Sequence, residues 1–97
     1  WDSGFNIESD FTASLWGRDF NENSDIITMI DDEGNNVVIR YRTNADGTVY
    51  ADATVTNGTI IYYIFSPSIT APIATQEIQF WFRRIGYQYE IKLEIVS

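Results

Sequence analysis

Cysteine and histidine are both missing from these 97 residues. Without cysteine there is no disulfide, no thiolate zinc site and no cysteine nucleophile, and neither an oxidising nor a reducing compartment is singled out. Without histidine the chain lacks the usual general base, the usual zinc ligand and the usual switch near neutral pH. Basic residues are scarce, six against fourteen acidic ones, and the net charge of −8 argues against nucleic acid or an anionic membrane as partner. No apolar run approaches the ~18 residues of a membrane span. No signal-peptide pattern is present, and an opening at Trp1 in place of methionine points to a processed or trimmed chain. No G-x-S-x-G, P-loop or dinucleotide fingerprint occurs. Among so many acids nothing marks one pair for glycoside hydrolysis, so the expectation is no enzyme.

What is present is alternation. Hydrophobic residues make up 44% of the chain and aromatics 15%, enough for one domain, residues 1–97, to fold without metal or disulfide support. Between Glu77 and Ser97, Ile78, Phe80 and Phe82 point one way while Gln79, Trp81 and Arg83 point the other. After a turn at Gly86, Tyr87, Tyr89, Ile91, Leu93 and Ile95 share one face, and Gln88, Glu90, Lys92 and Glu94 the opposite one. Period two is the mark of half-buried antiparallel strands. Earlier strands are expected at Phe11–Trp16, Asp25–Ile30, Asn36–Thr43, Thr48–Thr56 and Thr59–Phe65. Asp31–Asn35, Asn44–Gly47 and Asn57–Gly58 supply the turns. Ser66–Gln76 carries both prolines, Pro67 and Pro72, and is excluded as a central strand. Its Ile69 and Ile73 suggest a packed crossover between two sheets. The fold expected is all-β, an antiparallel two-sheet sandwich or jelly roll.

The strand patterns also resemble known families. Asp25-Ile26-Ile27-Thr28-Met29-Ile30, followed by Asn36-Val37-Val38-Ile39-Arg40, is similar to the central strand pair of galectin-type sandwiches. Ile78-Gln79-Phe80-Trp81-Phe82 with Tyr87-Gln88-Tyr89-Glu90-Ile91 is similar to their later hairpin. The resemblance implies a jelly-roll lectin fold over roughly half the chain by pattern. It does not carry galactoside specificity. Where that family has its H-x-N-x-R run this chain has Met29, Asp31 and Glu33, and no W-G-x-E-x-R segment follows. Asn36-Val37-Val38-Ile39-Arg40 and Phe80-Trp81-Phe82-Arg83 also resemble a domain of the farnesoic acid O-methyltransferase type. Both families imply a small recognition sandwich.

Four candidate surfaces follow. The first is an outward face of Trp81, Arg83, Gln79, Arg40 and Arg42, where an indole stacks on a sugar ring and polar groups read hydroxyls. The competing reading has Trp81 covered by the proline loop or engaged in a cation–π pair. The second is Asp19, Asn21, Asn23 and Asp25, whose alternate oxygens fit calcium. The EF-hand pattern breaks there at Ser24 and Ile30, and an ordinary acidic loop is the alternative. Asp31-Asp32-Glu33 is a second oxygen-rich cluster, also read as turn chemistry. The third is Ile60–Phe65, apolar on both faces, and so a central core strand or a dimer face, with core preferred. The fourth is the glycosylation triplet Asn57-Gly58-Thr59. The partner expected is therefore a carbohydrate or a protein, in a secreted or cell-surface protein; the alternative is a structural or assembly protein, a homo-oligomer included, that uses Ile60–Phe65 and the loop Ser66–Gln76 as a protein–protein interface.

Overall fold

The alternating segments fold as seven strands in the computed structural model, which describes residues 6–96. Residues 1–5 and Ser97, to which the last strand was expected to reach, fall outside the described residues. The strands are β1 (Phe11–Gly17), β2 (Ser24–Ile30), β3 (Asn36–Thr43), β4 (Val49–Asn57), β5 (Ile60–Phe65), β6 (Ile78–Ile85) and β7 (Gln88–Ile95). They form a three-stranded sheet in the order β1-β6-β7 and a four-stranded sheet in the order β2-β3-β4-β5. Every pairing between these strands is antiparallel. The two sheets pack face to face, which is the sandwich that the alternation implied.

The core comes from one set of alternate residues in each sheet. Val37, Ile39 and Tyr41 on β3 and Val49, Ala51, Ala53 and Val55 on β4 meet Ile78, Phe80 and Phe82 on β6, with Ile91 and Leu93 on β7. Phe20, Tyr41 and Phe80 make edge-to-face contacts with centroids 5.0 to 6.5 Å apart, the geometry that ring quadrupoles favour. Ile7, in the segment before β1, is fully buried. Its N–H donates to Asp31 Oδ2 and its carbonyl accepts from Arg84 Nη1, so both polar groups of a buried residue are satisfied.

Turn chemistry sets the registers. At the β3–β4 connection Gly47 has φ +89°, and Asp46 Oδ1 accepts the Thr48 N–H at 2.9 Å. At the β6–β7 hairpin the turn is the pair Gly86-Tyr87, with Gly86 at φ +61° and Ile85 opposite Gln88. A side chain would be strained at that first position. Tyr87 was expected on the inner face. As a turn residue it is instead 95% exposed, because β7 begins one residue later.

Two further expectations are corrected. Ile60–Phe65 is not a central strand: among the described residues β5 pairs only with β4 and forms an edge. As the outermost strand of its sheet β5 packs Ile64 against the core and sets the Tyr62 ring 5.7 Å from Tyr89, yet five of its six residues are exposed. In the Ser66–Gln76 segment, Ile69 does pack, bridging to Val49, and the chain then crosses to the other sheet at Ile78. Ile73, however, is 65% exposed, since it sits in a polar turn closed by Gln76.

Candidate functional site

The five residues expected to share one binding face lie on opposite sides of the sandwich. Gln79, Trp81 and Arg83 alternate with the core residues of β6 and face outward from the three-stranded sheet. Arg40 and Arg42 alternate with Ile39 and Tyr41 on β3 and face outward from the four-stranded sheet. Both local alternations hold. The strands that carry them belong to different sheets with the core between.

On the four-stranded side the arginines are committed to carboxylates. Arg40 Nε sits 2.8 Å from Asp25 Oδ1, and its Nη1 donates to Thr54 Oγ1 at 3.1 Å. Arg42 Nε donates to Asp52 Oδ2 at 2.8 Å. That hydrogen bond, followed by the charge of Asp52, raises the Arg42 guanidinium above its ordinary range. Asp52 itself is buried, and its other oxygen lies 3.8 Å from Arg40 Nη1. Arg40, bonded to Asp25 and Thr54, ties β3 to both neighbouring strands, and Arg42, bonded to Asp52, ties it to β4.

Members of the calcium-type set make contacts of their own. Asp25 lies across from Arg40 in the β2–β3 ladder and holds it, while Asn21 uses its backbone carbonyl to accept the Ser24 hydroxyl. Asp19 borders a separate cleft with Phe20, Glu22 and Tyr41. Among the described residues no three acidic side chains gather closely enough to hold an ion. The Asp31-Asp32-Glu33 cluster is turn chemistry. Asp31 Oδ1 accepts the N–H groups of Glu33 and Asn35 at 2.9 Å, and Oδ2 accepts from Ile7 and from the Asn35 amide. Burial alone raises the Asp31 carboxyl, but these four donors outweigh it and hold it below its usual range.

The outer face of the three-stranded sheet is different in kind. Register places Ser14, Trp81 and Lys92 in one row across β1, β6 and β7, with Trp16, Gln79 and Glu94 in the next. Thr12, Arg83 and Glu90 form the third row. Trp16 is 65% exposed. It stands one diagonal step from Trp81, a separation of ~7–8 Å in an antiparallel ladder. Trp81 is half-buried, with the Arg83 guanidinium 4.7 Å and the Lys92 ammonium 5.2 Å from its ring centroid. The cation–π alternative is therefore realised at this indole. Gln79, Trp81, Lys92 and Glu94 border a shallow depression of about 310 Å³, and Ser14, Leu15 and Trp16 border another of about 290 Å³. Charges on this face balance, Arg83 and Lys92 against Glu90 and Glu94, on a body of net charge −8.

Trp16 is not among the candidates read from the sequence, because its place beside Trp81 depends on β1 lying next to β6, a pairing across more than sixty residues. Its outward direction was legible, since Phe11, Ala13 and Leu15 take the other face. A further cleft of about 470 Å³ opens at one end of the sandwich, lined by Glu8, Asn57, Tyr62, Arg84, Tyr87 and Tyr89. Arg84 there is structural: its Nε donates to the Gly86 carbonyl and its Nη1 to that of Ile7. No protein-family model, curated protein or solved structure matches this chain.

Proposed function

We propose that this domain is a non-enzymatic recognition module of a secreted or cell-surface protein, binding neutral carbohydrate on the outer face of the three-stranded sheet. The observation that carries the reading is the pair of tryptophans one diagonal step apart on a charge-balanced face. Trp16 offers an exposed indole for stacking on a pyranose ring. Trp81, held in place by Arg83 and Lys92 against its ring, supplies a second indole at the neighbouring position. Gln79, Ser14 and Glu94 surround the indoles with an amide, a hydroxyl and a carboxylate that can read sugar hydroxyls in pairs. A balanced face attracts neither strongly acidic nor strongly basic ligands, which suits a neutral polyol. Arg83 keeps a place at the edge of this site; Arg40 and Arg42 do not, since they lie behind the core.

The test is a glycan-array screen of the wild-type chain, followed by titration of the best binder against variants. Trp16→Ala and Trp81→Ala are each expected to weaken binding about tenfold or more, the size of a truncated hot-spot anchor. Arg40→Ala, on the opposite face, leaves affinity unchanged. Undiminished affinity in a folded Trp16→Ala/Trp81→Ala double variant, or a blank array, would sink the proposal.

A further inference from the structure

The β5 edge presents a surface that the carbohydrate reading does not use. Ile60-Ile61-Tyr62-Tyr63-Ile64-Phe65 contains no charge, no proline and no glycine, and among the described residues no strand lies on its outer side. Edge strands in natural proteins are ordinarily blunted by lysine, proline or a bulge, because a free row of N–H and C=O groups is a template for another strand. None of those devices is present in β5.

The backbone shows which groups are free. The Ser66 N–H donates to the Ala51 carbonyl at 2.9 Å, and the Ala51 N–H donates to Ser66 Oγ at 2.8 Å. Even-numbered residues of this strand therefore turn their backbone groups toward β4. By strand alternation Ile61, Tyr63 and Phe65 direct theirs away from the sheet. Register with Thr56, Thr54 and Asp52 puts the side chains of these same three residues on the outer face. Tyr63 is 67% exposed, with Ile61 and Phe65 more than half exposed. Tyr50 extends the strip, its ring 6.3 Å from Phe65. Asp52, across from Phe65 on this face, is buried and held by Arg42.

We infer that β5 pairs antiparallel with β5 of a second copy of this chain, forming a continuous eight-stranded sheet through a two-fold axis at Tyr63. Symmetry fixes the register. A two-fold axis normal to the sheet keeps outer faces on the same side, and antiparallel partners share a face, so paired residue numbers must sum to an even number. An axis through Tyr63 sets Tyr63 against its own mate and Ile61 against Phe65, and it engages the free backbone groups of all three residues. Tyr62 then faces Ile64 on the inner side. A second copy suits this edge better than a charged partner. Two chains of net charge −8 repel over most of their surfaces, and this strip is where they can approach without opposing carboxylates. The exposed apolar side chains of β5 amount to on the order of 500 Å² per chain, so about 1,000 Å², the threshold for a specific interface, is the most that two copies can cover along this strip.

The experiment is sedimentation of the full chain over a broad concentration range, with amide hydrogen exchange on the same samples. A dimer is expected in which the amides of Ile61, Tyr63 and Phe65 are protected and become fast on dilution, while those of Tyr62 and Ile64 stay protected throughout. Tyr63→Lys opposes two like charges at the axis and is expected to raise the dimer dissociation constant about tenfold or more. Tyr63→Pro removes an outward N–H without removing a β4 hydrogen bond, and is expected to give a folded monomer. A wild-type chain that sediments as a monomer at every concentration overturns the inference. So does a dimer that survives Tyr63→Lys. Should both variants misfold, the wild-type exchange pattern decides alone: a dimer with unprotected odd-numbered amides refutes this edge.

Discussion

The two outer faces of the sandwich use arginine in opposite ways. On the four-stranded side Arg40 lies across from Asp25 on one neighbouring strand and Asp52 on the other, and Arg42 reaches Asp52 diagonally. On the three-stranded side Trp81 lies across from Ser14 and Lys92, and Arg83 leans over the indole while holding Glu90. Along the chain these segments look alike: outward arginines alternating with core aliphatics and aromatics. Cross-strand neighbours separate them. One face becomes a charge lattice that ties strands together, and the other leaves an indole platform with hydroxyl and amide groups around it.

The strongest way to break that contrast is at Asp52, the only carboxylate of the lattice that is buried. Asp52→Ala leaves Arg42 without its main partner and Arg40 with half of its compensation. Breaking a fully buried pair costs about 3–5 kcal/mol, and the part-exposed arginines here reduce that to about 2–3 kcal/mol. Urea unfolding of the variant measures it. A change below about 0.5 kcal/mol, the range of an ordinary surface substitution, would show that the lattice is ornamental. The sugar binding proposed for the far side is expected to be unchanged, since the core intervenes.

Local pattern carried much of this architecture. The alternation from Ile78 to Phe82 and from Tyr89 to Leu93 was enough to separate inner from outer residues, because strand geometry is local. Continued two residues further, the same alternation turns Arg84 inward, where it is found. What could not be read was non-local. Nothing near Trp16 announces that it will lie beside Gln79 rather than beside β2 or β3, so the tryptophan pair was invisible while Arg40 and Arg42 were grouped with Trp81. The two-faced apolar pattern of Ile60–Phe65 is shared by a central strand and an edge, and only the pairing order, which gives β5 the single neighbour β4 among the described residues, decides between them. Ile7, a lone aliphatic among polar neighbours, belongs to no period at all.

Acid sharpens the contrast more gently. Two carboxyls held below their usual range, Asp31 and Asp46, sit in the turns of the four-stranded sheet. Asp31 opposes burial with four hydrogen bonds, and a depressed pKa means stability that is fully present above the unfolded value near 3.8. That contribution is lost as pH falls through the folded value. Stability is therefore expected to be flat near neutrality and to decline below about pH 4, with loss beginning at the β2–β3 turn. Asp31→Asn, which keeps the size but not the charge, should lower the plateau by about 1–2 kcal/mol and flatten the acid limb. An acid limb as steep in the variant as in the wild type would place the sensitivity elsewhere.

The smallest effect tests whether the platform face is held by its own ion pair. Arg83 Nη2 and Nε lie 2.9 and 3.0 Å from Glu90 Oε2, good geometry on an exposed surface. Exposed pairs contribute about 0–1 kcal/mol because water and salt screen them and two long side chains lose freedom. A double-mutant cycle with Arg83→Ala and Glu90→Ala should therefore return a coupling well under that for Arg42 and Asp52, and it should shrink further in high salt. The guanidinium also rests on Trp81, so Arg83→Ala has a second consequence that Glu90→Ala lacks: it uncovers one side of the indole. Equal coupling energies on the two faces would erase the distinction between lattice and platform. A weak coupling, with sugar affinity altered by Arg83→Ala and not by Glu90→Ala, would show that this arginine serves the indole rather than the fold.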